Sequence, residues 1–189
     1  PSTEEQKAFL AESKQQTSAQ PNELSRQRAA LQGVMAVPAS VDNSVSQFFP
    51  PIRSQGSQGS CTAWAVGYYH STFTQAMDEN LTASGGNNDV ICSPAFLYNQ
   101  INYGADSGSS IEVALGRLRN VGCSSWNCKP YNSSDYSSWP SEAAWVAAPK
   151  RRTNATTPVG TYSGCSDTDL AIIKQELANG RMLVTATDV

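Results

Sequence analysis

The sequence holds little histidine, little charge and no long apolar run, and each shortage narrows what the chain can be. His70 is the one histidine among 189 residues. No Cys-x-x-Cys pair accompanies it, so the ligand spacing of a structural zinc site is missing. Charged residues make up 15% of the chain and the formal net charge is −3, which argues against a nucleic acid or other polyanion as partner. No apolar stretch approaches the roughly 20 residues that cross a bilayer, so no membrane span is expected. The N-terminus has no apolar signal-peptide core, so any export signal has been removed or was not included. No cofactor is expected either.

What is present suits a globular domain. Hydrophobic residues make up 39% of the chain, enough for one domain with a real core and an extension. The most informative stretch is Gln55-Gly56-Ser57-Gln58-Gly59-Ser60-Cys61-Thr62-Ala63-Trp64-Ala65. Polar, glycine-rich residues lead to one cysteine, and from there the chain turns apolar and helix-compatible as far as Met77. This predicts a loop feeding a helix buried on nearly every side, with Cys61 on its first turn. A thiol there feels the positive end of the helix dipole, which favours the reactive thiolate. The N–H groups of the first turn are free to hold a developing oxyanion, and the Gln55 amide can add a donor. The glycines let a substrate approach the backbone.

His70 lies nine residues on in the same helix. At 1.5 Å per residue that is about 13 Å along the axis and roughly the opposite face, so it is not the base for this thiol. The other cysteines, Cys92, Cys123, Cys128 and Cys165, suffice for two disulfides, and all three connectivities stay open. Asn80-Leu81-Thr82, Asn132-Ser133-Ser134 and Asn154-Ala155-Thr156 fit the glycosylation acceptor pattern. Together with the disulfides they lead us to expect a secreted or otherwise exported protein.

Further elements follow in order. Residues 1–36 are polar, with two thin helical patterns that cannot hold a core. Ser93-Pro94 opens a helix bearing Phe96, Leu97 and Ile101. Ser109 and Glu112 form a capping box for a third helix that Gly122 ends. Residues 132–164 read as surface pieces kept ordered by Trp139 and Trp145. Asp167 or Thr168 caps a last helix ending at Asn179-Gly180, and residues 182–187 read as a strand.

The stretch around Cys61 resembles the active-site segment of the papain-like, cathepsin-type cysteine peptidases, Gln-Gly-x-x-Gly-Ser-Cys-Trp-Ala-Phe. Gln55, Gly56, Gly59, Ser60, Cys61 and Ala63 match it. Thr62 stands where Trp is usual, Trp64 where Phe is usual, and Gln58 where many members carry a disulfide cysteine. Pro51-Ile52-Arg53, Ser93-Pro94 and Lys129-Pro130-Tyr131 are similar to segments that flank the family's site. The resemblance implies an α+β, two-lobed papain-like fold over residues 37–189, with the helical left-hand lobe present and the right-hand β-barrel lobe only begun. Residues 1–36 would be a propeptide or its remainder, and the protein a zymogen. The resemblance further implies a thiol peptidase acting on peptide or protein substrates. Cys61 would be its nucleophile, the Cys61 N–H and Gln55 its oxyanion hole, and Gly59, Ser60 and Gly108 its substrate-binding positions. Gly108 aligns with the family's glycine that pairs with the substrate backbone. The family's histidine and asparagine fall beyond Val189, so a second chain or following sequence is expected to supply them. An inactive binding module and a thiol acyltransferase are the alternatives on the same fold.

Overall fold

A computed structural model describes residues 37–154 and 166–186 of the chain. The expected extension over residues 1–36, Cys165 and residue 187 of the expected strand lie outside the described residues.

The architecture is built on a helical rod that begins at Cys61. It has three consecutive pieces: α1 (Cys61–Ala63), a π-helical segment (Trp64–Ser71) and α2 (Thr72–Asp78). Gly67, inside the π segment, is where the next helix comes closest. A methyl group there would sit 3.2 Å from Leu97 Cδ2 and 3.5 Å from Cys92 Sγ. That next helix, α3 (Pro94–Ile101), is buried along its whole length, and Ser93 caps it through a bond from the Phe96 N–H. Proline at its first turn lacks only an N–H that has no intrahelical partner.

The other helices cover this pair. α4 (Ile111–Asn120) supplies Val113, Ala114 and Leu118 to the core, and α5 (Glu142–Ala147) supplies Ala144. A 3-10 turn, Ala148–Arg151, follows α5 and buries Ala148. Ala63 and Val66 of the rod, Phe96 and Leu97 of α3, and these residues form one apolar core. On the rod's other face Trp64, Tyr68 and Tyr69 pack with Ile91, Trp126 and Tyr131. Apolar burial on both faces is what the sequence pattern predicts. A disulfide, Cys92–Cys123, joins the entry of α3 to the exit of α4, while Cys128 is a free, half-buried thiol.

The approach to the rod runs alongside it. Phe49 stacks on Tyr69 at 5.6 Å and Phe48 meets Phe73 edge-on at 6.2 Å. The Tyr68 hydroxyl donates to the Pro51 carbonyl at 2.7 Å, and the Arg53 guanidinium lies 4.4 Å over the Trp126 ring. These contacts deliver the chain to Gln55 in a fixed place. At the far end, α6 (Asp167–Ala178) begins with a capping box of Ser166 and Asp169. Asn43 Nδ2 donates to the Leu177 and Arg181 carbonyls at 3.0 and 3.1 Å, tying the end of α6 to the start of the described chain.

Three expectations are corrected. The cap of α4 is Ser110, not Ser109, because the Ser109 carbonyl is held by the Thr62 hydroxyl at 2.8 Å and Ser109 stays outside the helix. The cap of α6 is Ser166, one residue before Asp167, because its hydroxyl and the Asp169 carboxylate satisfy each other's backbone N–H groups. Residues 181–186 carry no regular structure instead of a strand. A strand needs a neighbour to pair with, and among the described residues the one β-bridge is Cys92 with Ser125. The described residues are therefore helical, with no strand among them. No helix among them is long and apolar enough to cross a membrane.

Candidate active site

Two loops meet at the start of the rod. The first, residues 55–60, ends at Cys61, whose thiol is free and exposed. Being first in α1, its N–H has no intrahelical acceptor. Tyr131 holds this loop from behind. Its hydroxyl donates to the Gln55 carbonyl at 2.7 Å and accepts from Ser60 Oγ, also at 2.7 Å. Ser60 is completely buried, so its hydroxyl braces the loop from inside. Gln55 Nε2 donates to the Gln58 carbonyl at 3.0 Å, and a primary amide carries a second N–H. Gln58 is itself buried, with Nε2 reaching the Asn132 and Ser133 carbonyls at 3.4 Å.

The second loop, residues 102–110, joins α3 to α4. Gly108 sits there at φ +90°, a conformation that glycine adopts without a Cβ penalty. The loops touch at their glycines. A Cβ on Gly59 would stand 3.1 Å from Gly108 N, 3.2 Å from Asp106 Oδ1 and 3.2 Å from the Tyr98 hydroxyl. The Gly59 N–H donates to Asp106 Oδ1 at 2.8 Å, and the Tyr98 hydroxyl donates to the same oxygen at 2.6 Å. Burial and that hydrogen bond push the Tyr98 hydroxyl up to about 12, so it remains a donor through the neutral range.

Of the residues singled out in the sequence, Gly59 and Gly108 are brought into contact, and Gln55, Gly59, Ser60 and Cys61 share one braced loop. Asp106 and Tyr98, which help organise this region, carry no local pattern that marks them out, and Tyr131 stands out in the sequence only through the resemblance of Lys129-Pro130-Tyr131 to a flanking segment. His70 sits nine residues along the rod from Cys61, on the order of 10 Å away along the axis. Burial lowers its proton affinity, partly offset by the Met182 backbone. Among the described residues no group of three His, Cys, Asp or Glu side chains could hold a metal ion.

Xylellain from Xylella fastidiosa, whose crystal structure is described as that of a cysteine protease, matches this chain with a TM-score of 0.58 at 21% identity. The fold is papain-like. The match covers 77% of this chain and 55% of xylellain's, so the chain spans little more than half the length of that structure. No family model matches the sequence, and no curated protein does.

Proposed function

We propose that the chain is part of a cysteine peptidase of the papain-like, cathepsin type, and that it cleaves peptide bonds through Cys61. The observation that carries this reading is the free, exposed thiol on the first residue of a buried rod, facing water beside two mutually braced glycine loops. In this reading the Cys61 thiolate attacks the scissile carbonyl and forms an acyl-enzyme that water then hydrolyses. The Cys61 N–H and the second N–H of Gln55 hold the oxyanion. An extended substrate lies along Gly59 and Gly108. The Gly108 carbonyl serves as acceptor, while its N–H stays on the Tyr98 hydroxyl at 3.4 Å.

The base must be an imidazole, and His70 is committed to the far end of the rod. The proposal therefore requires a histidine, oriented by an asparagine, from sequence beyond Val189 or from a second chain. The right-hand barrel lobe, only begun in this chain, would be completed by that same part, and residues 1–36 would be a propeptide or its remainder. An exported location, where the Cys92–Cys123 disulfide persists, completes the proposal.

Treatment of the complete protein with a peptidyl epoxide, followed by peptide mapping, tests it. Cys61 should be modified in preference to the free thiol Cys128. Cys61→Ala should abolish labelling and peptide hydrolysis while shifting stability by no more than about 0.5 kcal/mol, as for an exposed side chain. Equal labelling of the two thiols would refute the peptidase reading and leave the fold as a binding module. Transfer of the acyl group to an added amine in place of water would instead indicate an acyltransferase.

A further inference from the structure

One carboxylate oxygen fastens the two loops together. Asp106 Oδ1 accepts from the Gly59 N–H at 2.8 Å and from the Tyr98 hydroxyl at 2.6 Å, and the Tyr98 oxygen in turn accepts from the Gly108 N–H at 3.4 Å. The backbone of each glycine loop thus ends on the same Asp–Tyr pair. The two members of the pair differ in setting. Tyr98 lies on α3 and is fully buried, so packing holds it as a post. Asp106 is exposed, on a loop with no regular structure of its own. Without its carboxylate, the loop's remaining side-chain tie to the rod is the bond from Thr62 Oγ1 to the Ser109 carbonyl at 2.8 Å. That bond fixes the loop beyond Gly108 and leaves the Gly59 side open.

We propose that Asp106 is a positioning residue that sets the spacing between the Cys61 loop and the Gly108 backbone. It acts on the alignment of an extended peptide and leaves the reactivity of the thiol alone. This rests on the peptidase reading above. Its chemistry is that of an acceptor: one oxygen with two donors aimed at it. An amide oxygen in the same place takes both bonds, and a methyl group takes neither.

The test uses two electrophiles on the complete protein, iodoacetamide, which needs no backbone alignment, and a peptidyl epoxide, which does. Asp106→Ala should slow labelling of Cys61 by the epoxide by about tenfold to a hundredfold, the scale expected for a misplacement near 1 Å, with the iodoacetamide rate changed by less than about twofold. Asp106→Asn should restore most of the epoxide rate, and thermal unfolding should confirm that both variants are folded. Equal slowing of both reagents, no slowing of either, or failure of asparagine to rescue would overturn the role given to Asp106. Should the unmodified protein show no preference for the epoxide at Cys61, the peptidase reading beneath it falls instead, and the two failures are told apart by that first measurement.

Discussion

Tyr131→Phe removes one oxygen atom and should reveal how firmly the nucleophile loop is held. The ring stays, and with it the edge-on contact to Trp64 at 4.9 Å. Two hydrogen bonds go. Ser60 is fully buried, so its hydroxyl has no water to turn to once the Tyr131 oxygen at 2.7 Å is lost. The Gln55 carbonyl, which accepts from Tyr131 at 2.7 Å, is only half-buried and regains part of the loss from solvent. Leaving a buried hydroxyl unpaired costs about 1–3 kcal/mol, so the total should be about 2 kcal/mol. With a urea m-value of about 2 kcal/mol/M, the midpoint should fall by about 1 M. Ser60→Ala in the Tyr131→Phe background should then recover part of the loss, because it removes the orphaned donor. That gives a coupling of about 1 kcal/mol in the double-mutant cycle. A single-mutant change below about 0.5 kcal/mol, with Ser60→Ala strictly additive, would show that the network does not brace the loop.

Two further outcomes are expected. Replacing both Cys92 and Cys123 by alanine opens a loop of 31 residues and should cost about 3.5 kcal/mol by the chain-entropy relation, read from urea unfolding against the oxidised protein. His70 should impose a pH dependence on stability. Burial lowers its folded pKa below the ordinary 6.5, partly opposed by the Met182 backbone, so just below 6.5 the unfolded chain binds more protons than the folded one. The contribution is complete above 6.5 and is lost as pH falls from there through the folded value. His70→Gln should flatten the unfolding midpoint over that window, and an unchanged slope would refute the burial argument.

How much of the fold can be read from the sequence depends on how local its causes are. The start of the rod at Cys61 is legible because a glycine-rich run gives way within a few residues to an apolar one. The start of α3 is legible because serine followed by proline satisfies a helix entrance by itself. Where two cap-competent residues stand side by side, local chemistry does not choose between them. Ser109 and Ser110 are equivalent until Thr62, from another element, takes the Ser109 carbonyl. α5 is hard to read from the sequence because it has only six residues, half of them alanine, and the burial of Ala144 comes from packing and leaves little periodic signal. The strand expected over residues 182–187 fails for the opposite reason. Its apolar and β-branched residues suit a strand, but a strand is completed by its neighbour's hydrogen bonds, and none of the described residues pairs with this segment.

The candidate site divides along the same line. The position of the sulfur is encoded within a dozen residues, since a loop, a helix start and a cysteine are all local. Its setting is not. The bond from Gly59 to Asp106 spans 47 residues and the one from Tyr131 to Gln55 spans 76. In the sequence these partners are an aspartate among serines and glycines and a tyrosine after a proline; the resemblance of Lys129-Pro130-Tyr131 marks the tyrosine as a neighbour of the site, but nothing local tells which groups either residue holds. The hydrogen bonds that hold a backbone at a fixed spacing need only an acceptor or a donor of the right reach, and many sequences supply one. A pattern of residue types can therefore locate the reactive atom, while the groups that aim it come from distant parts of the chain that only the folded geometry brings together. The positions most sensitive to substitution around this thiol should accordingly include Asp106, which acts through Gly59 on the alignment of the substrate, and Tyr131, which holds the loop through Ser60 and Gln55, although neither touches the sulfur.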